Sequence, residues 1–112
     1  MPCMVAQTKI REFSRKLARE FKPDRIILFG SYAVGNPRAD SDVDFLIIMP
    51  VRGDPVHKSV EIRMKLRPEF PVDLIVRTPA NTRKRLAAGD DFLADIMEKG
   101  VVLYEAHGKR VA

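Results

Sequence analysis

The sequence predicts a small α/β (α+β) domain, a mixed sheet flanked by helices in the order helix–strand–turn–strand–helix–strand–helix–helix–strand. Three observations predict it. Apolar residues near the start recur at spacings of three and four. Four short apolar runs follow, the first two stopped by Gly30 and Pro50. Asp54-Pro55 and Thr78-Pro79 are cap-and-first-turn pairs that open helices between those runs. Helices that alternate with strands need a sheet to cover.

Each element has its own signal. Ile10, Phe13, Leu17 and Phe21, with Lys, Arg and Glu between them, predict an amphipathic helix over roughly residues 6–21, ended before Pro23. Arg25–Phe29 is a buried strand stopped by Gly30, and Val43–Met49 is a second, longer one. Val56, Val60 and Met64 recur every four residues, predicting a helix from Asp54 to near Pro68. A helix of that length serves as a crossover and makes the second and third strands parallel. Val72–Val76 is the third strand. A short basic helix then runs from Thr78-Pro79 to Gly89. Asp90 caps a last helix bearing Phe92, Leu93, Ile96 and Met97, which Lys99-Gly100 should close as a C-terminal cap. Val101–Tyr104 is the final strand, with the tail from Glu105 expected to fray.

A chain of 112 residues allows one domain, taken as 1–112 with 1–5 and 106–112 frayed. It buries roughly 65% of its unfolded surface, enough for a core without staples. Cys3 alone forms no internal disulfide, the opening residues carry no apolar signal region, and no apolar run nears the ~18 residues of a membrane span. Those features suit a cytoplasmic protein. The net charge of +5 admits nucleic acid, an acidic partner or a nucleotide, and equally a solvated basic surface. His57 and His107 show no metal-ligand spacing with each other or with Cys3, and read as surface residues.

The chemistry gathers around Gly30-Ser31-Tyr32-Ala33-Val34-Gly35 and Ser41-Asp42-Val43-Asp44. Alternation along a strand turns Asp42 and Asp44 to one side. Two carboxylates at the head of an apolar strand are costly unless neutralised, and their repulsion tends to raise one pKa. A divalent cation removes the cost, and Mg²⁺ prefers such oxygens with phosphate or water completing its shell. A lone Asp-x-Asp more often means a turn cap and a solvated strand end. Asp73 strengthens the other meaning, because it lies in an apolar strand one crossover later, where it lands beside Asp44 if the two strands are neighbours. Three acids converging there would hold two metal ions about 3.5–4 Å apart. Taken alone, Asp73 is equally a strand-edge acid facing solvent. Gly30 admits a phosphate to the backbone, the N–H groups of the opening turn attract anions, and the Ser31 hydroxyl donates a further hydrogen bond. A bare Gly-Ser turn needs no ligand.

Gly30-Ser31-x-Ala33-x-Gly35 followed by Ser41-Asp42-x-Asp44 resembles the signature of the polymerase-beta-like nucleotidyltransferase superfamily, in its small form, the minimal nucleotidyltransferase. The resemblance spans the chain from the first helix to the last strand. It implies the nucleotidyltransferase fold and transfer of a nucleoside monophosphate to a hydroxyl with release of pyrophosphate. It implies Gly30 and Ser31 on the nucleotide triphosphate, Asp42 and Asp44 on two Mg²⁺ ions (Mn²⁺ being an alternative), and Asp73 on the ion nearer the attacking hydroxyl. Small members of the family pair with helical HEPN proteins as toxin–antitoxin systems, adding AMP from ATP to a tyrosine of the toxin. This chain departs from the family at Tyr32 and Val34, where members often carry basic residues. Arg38 either replaces that cation from the same loop or is a solvated turn residue.

Three functions stay open on the sequence. The first is an enzyme that modifies a partner protein, since little chain is left beyond the core to build an acceptor site. In that case a separate protein or a second copy in a homo-oligomer supplies it. The second is an antitoxin that acts by occlusion, and the third a transferase acting on a small molecule or RNA. Arg77, Arg83, Lys84 and Arg85 form a basic segment expected to emerge near Asp73, or a solvated helix face.

Overall fold

A computed structural model describes residues 5–106 of the chain; Cys3 and His107, read above as a frayed-terminus and a surface residue, lie outside them. The elements are α1 (Gln7–Phe21), β1 (Arg25–Phe29), α2 (Ser31–Val34), β2 (Val43–Ile48), α3 (Pro55–Leu66), β3 (Val72–Arg77), α4 (Pro79–Ala87), α5 (Asp91–Lys99) and β4 (Val101–Glu105). The predicted order holds, with one helical turn, α2, at the expected bend.

The sheet runs β3-β2-β1-β4. β1 is antiparallel to β2 and to β4, whereas β2 and β3 are parallel, joined by α3 as its length required. β2 is central, and from Phe45 onward it reads as a continuous apolar run because helices cover both its faces. The larger core lies on one face, where Ile10, Phe13 and Leu17 of α1 and Ile62 and Leu66 of α3 meet Ile26, Leu28, Phe45, Ile47 and Leu74. Phe13 anchors it with ring contacts to Phe45 at 5.4 Å and Phe70 at 5.6 Å. The other face carries a smaller cluster of Ile27, Leu46, Ile48, Leu93 and Ile96. Asp44 and Asp73 belong to this thinner side, because alternation puts them in phase with Leu46 and Ile75.

Four details differ from the sequence expectations. The Val56, Val60 and Met64 stripe that signalled α3 is exposed, and the helix packs through Ile62 and Leu66. Two residues separate the stripes, close to half a turn, so the neighbouring sheet chose between two apolar faces. Gly100 adopts φ −72°, ψ 161° rather than the left-handed cap conformation. It is small for another reason. A Cβ there would stand 2.5 Å from the Ile96 carbonyl oxygen and 2.6 Å from Ile27 Cγ2. Glu105 extends β4 instead of fraying, and Ala106 is buried, its N–H donating to the Asp24 carbonyl at 2.9 Å. At the other end the Val5 N–H donates to the Tyr32 hydroxyl at 3.0 Å, so residue 5 is also held.

Candidate functional site

Asp42 stands one residue ahead of β2 and is exposed, while Asp44 is the second residue of the strand and partly buried. The parallel register pairs Asp44 with Asp73 of β3, so the two carboxylates leave the same face of adjacent strands, whose backbones lie about 4.8 Å apart. On its other side Asp44 is paired with Phe29, the last residue of β1. Asp73, Asp44 and Phe29 therefore form a row across three strands. β3 is the edge strand and Asp73 is exposed, which leaves this end of the row open to solvent.

Electrostatics mark Asp44. Its pKa is pushed up to about 6, first by burial, then by the negative charge of Asp73 and then by that of Asp42. The repulsion expected between paired acids is thus present, and falls on the more buried one. Among the described residues no hydrogen bond or ion pair neutralises Asp42, Asp44 or Asp73. An uncompensated group of hard oxygen donors fits a divalent cation. The fit is to an open site, since among the described residues no three acidic, His or Cys side chains close on one point. What the structure brings together is the pair Asp44–Asp73, with Asp42 alongside. Mg²⁺ is ordinarily held by one or two carboxylates while waters and substrate phosphates complete the octahedron.

The Gly30 turn is built against this pair. Gly30 has φ +79°, ψ −158°, a conformation open essentially to glycine alone. A Cβ at this position would strike the Oδ2 of Asp44 and approach its Cγ to 3.2 Å. Glycine is thus required so that the Asp44 carboxylate can lie against the backbone, a reason invisible without the β1–β2 register. The Gly30 carbonyl accepts from the N–H groups of Ala33 at 3.0 Å and Val34 at 3.2 Å, closing the single turn of α2. The N–H groups of Ser31 and Tyr32 have no intrahelical partner.

The remaining loop residues divide by role. Tyr32 is buried in the larger core and accepts from Val5, so it braces the turn and does not face a ligand. Val34 is exposed. Arg38 is exposed, and its N–H donates to the Ser41 hydroxyl at 2.9 Å while its carbonyl accepts from the Ser41 N–H at 3.0 Å. That reciprocal pair fixes the approach to Asp42 and leaves the guanidinium in solvent. The basic segment emerges elsewhere than expected. Arg77 lies four residues along β3 from Asp73, about 13 Å away, because the strand carries the chain away from the acids. The Arg77 Nε is buried and has no hydrogen-bond partner among the described residues. Arg85 is engaged by Asp90 at 2.9 Å, while Arg83 and Lys84 are exposed on α4. His57 is exposed, as read.

Residues 10–103 match the nucleotidyltransferase domain family, and the chain belongs to that family. Two curated relatives from Methanocaldococcus jannaschii agree. "Putative protein adenylyltransferase MJ0141" is 31% identical over 94 residues, covering 82% of this chain and 92% of its own. "Putative protein adenylyltransferase MJ0604" is 32% identical over 105 residues, covering 90% of this chain and 100% of its own. Among solved structures, "a putative nucleotidyltransferase from Sulfolobus solfataricus" superposes with a TM-score of 0.62 at 17% identity, over 90% of this chain and 81% of that one. A mutant of the toxin-antitoxin MntA-HpeT gives 0.55 at 20% identity, over 94% and 77%. A toxin-antitoxin with AMP-PNP gives 0.55 at 22%, over 88% and 76%. At these identities the superpositions show the fold, and the family match together with the curated relatives makes the chain a nucleotidyltransferase. Among the described residues no helix is long and apolar enough to cross a membrane.

Proposed function

We propose that this chain is a Mg²⁺-dependent transferase that moves AMP from ATP to a hydroxyl of a partner protein. In this reading it acts in the cytoplasm as the antitoxin of a pair whose toxin is a HEPN-type helical protein. The observation that carries the proposal is the pairing of Asp44 with Asp73 on adjacent parallel strands, with Gly30 packed against the Asp44 carboxylate. The names of the curated relatives support a protein as acceptor, and a neighbour bound to AMP-PNP supports an adenine nucleotide.

Asp42, Asp44 and Asp73 are the residues that would hold divalent cations, which supply charge neutralisation for the phosphates and a lower pKa for the acceptor hydroxyl. The chain's own contribution is positioning and electrostatics. Gly30 and Ser31 seat the triphosphate beside Asp44, with the Ser31 hydroxyl donating to a phosphate oxygen. Arg38, exposed on the same loop, would supply the cation missing at Tyr32 and Val34. Asp73, at the open edge, faces the acceptor and takes its proton. The acceptor oxygen bonds to the α-phosphorus, the bond to the β-phosphate oxygen breaks, and pyrophosphate leaves on the opposite side. Labelled ATP, Mg²⁺ and the partner, incubated together, test the reading. Label should appear on the partner and vanish with Asp42→Ala, while label on the partner undiminished in that variant would refute the assignment.

A second reading, inhibition by occlusion, draws on the absence of cations at Tyr32 and Val34. Tight binding of the partner with no label transferred would favour it. Label passing to RNA or a small hydroxyl compound without any partner protein would favour a third, in which no second protein is needed.

A further inference from the structure

A groove of about 340 Å³ continues the acid row on the side away from Asp73. Its lining includes Phe29, Gly30, Val34, Phe92, Asp95 and Lys99. Phe29 is the cross-strand partner of Asp44, so the groove begins one strand from the acid pair. Its aromatic wall is a T-shaped pair, Phe29 and Phe92, with ring centroids 5.8 Å apart at 87°. Phe92 is 50% exposed and Val34 61%, so the groove offers open apolar surface beside a charged centre. At the rim Lys99 and Asp95 form an ion pair at 3.1 Å that offers both donors and acceptors. Small-ligand sites combine such apolar and aromatic walls with a few placed polar groups.

We infer that this groove is the nucleobase site, in which the base lies against the Phe92 ring and presents its polar edge to Asp95 and Lys99. The inference rests on the nucleotide reading above and adds to it the surface that distinguishes a nucleotide from bare triphosphate. The geometry favours the base over a side chain of the acceptor. The groove shares Gly30 and Val34 with the turn assigned to the phosphates, whereas an in-line acceptor must enter opposite that turn, from the open Asp73 edge. Stacking on an aromatic ring is sequence-tolerant, so the groove binds nucleotides as a class and its rim supplies the preference among bases.

The experiment is calorimetric titration of the intact chain with ATP and, separately, inorganic tripolyphosphate, both with Mg²⁺. Wild type should bind ATP more tightly than tripolyphosphate. Phe92→Ala should weaken ATP about tenfold or more and leave tripolyphosphate within about twofold. Phe92→Tyr, which keeps the ring, should restore ATP affinity and so separates loss of stacking from damage to the fold. If wild type binds the two ligands equally, or Phe92→Ala weakens both alike, the groove assignment is overturned and the phosphate site stands. If Phe92→Ala leaves ATP affinity intact but weakens capture of the acceptor, the groove belongs to the acceptor and the inference is wrong. If wild type binds neither ligand, the nucleotide reading itself fails.

Discussion

Gly30→Ala puts the relation between the turn and the acid pair under direct strain. At φ +79°, ψ −158° an alanine costs on the order of 1–3 kcal/mol in backbone energy alone. The added methyl also meets the Asp44 carboxylate, which must swing away, since the turn cannot recede without breaking the two bonds to the Gly30 carbonyl. Gly35 supplies the matched control. It has the same φ of +79°, with ψ 23°, but nothing within 4 Å of where its Cβ would lie. Gly35→Ala should therefore cost about 1–2 kcal/mol and leave Asp44 in place. Urea unfolding should show both variants folded and cooperative, with Gly30→Ala the less stable. Transfer rates should separate them further. A displacement near 1 Å at the reacting centre costs on the order of 10²-fold, so Gly30→Ala should fall by at least that much while Gly35→Ala stays within severalfold of wild type. Equal activity in the two variants would refute the claim that Gly30 exists to accommodate Asp44.

Asp44→Asn should stabilise the protein at neutral pH while abolishing transfer. The folded pKa of Asp44 is raised to about 6 from an ordinary 3.8, so its ionised form opposes folding. The penalty is absent below about pH 4, grows between pH 4 and 6, and is complete above 6. Because the residue is only partly buried, the gain is about 1 kcal/mol after solvent screening, and thermal melts at pH 7.5 and pH 4 should show it only at the higher pH. Gly100→Ala should cost about 1–3 kcal/mol in urea unfolding, because its Cβ would crowd Ile27 and the Ile96 carbonyl; an unchanged midpoint would show that α5 yields freely there. Tyr32→Phe should lose about 1 kcal/mol with the Val5 hydrogen bond, and amide exchange at Val5 should quicken.

Much of this was legible in the sequence, for identifiable reasons. β2 could be read because Phe45 to Met49 is an unbroken apolar run and helices cover both of its faces. The caps at Asp54, Thr78 and Asp90 could be read because each is a local interaction, and each side chain accepts the expected N–H. Asp73 beside Asp44 followed from one crossover helix of the right length. What could not be read depended on the sheet as a whole. Two apolar faces of α3 were equivalent until β3 selected Ile62 and Leu66. The reason for Gly30 needed the antiparallel register that puts Phe29 opposite Asp44. Phe29 and Phe92 looked like ordinary core residues, since nothing local to either indicates that they meet at the rim of the site.

The most direct measurement is Mn²⁺ binding, followed by electron paramagnetic resonance, in the presence of a non-hydrolysable ATP analogue. Wild type should take up the ion, and Asp73→Asn, with an unaltered far-UV spectrum, should bind it at least about tenfold more weakly. Equal Mn²⁺ affinity in the two proteins would mean that Asp73 and Asp44 are neighbours without being joint ligands, and the account of the site would fail.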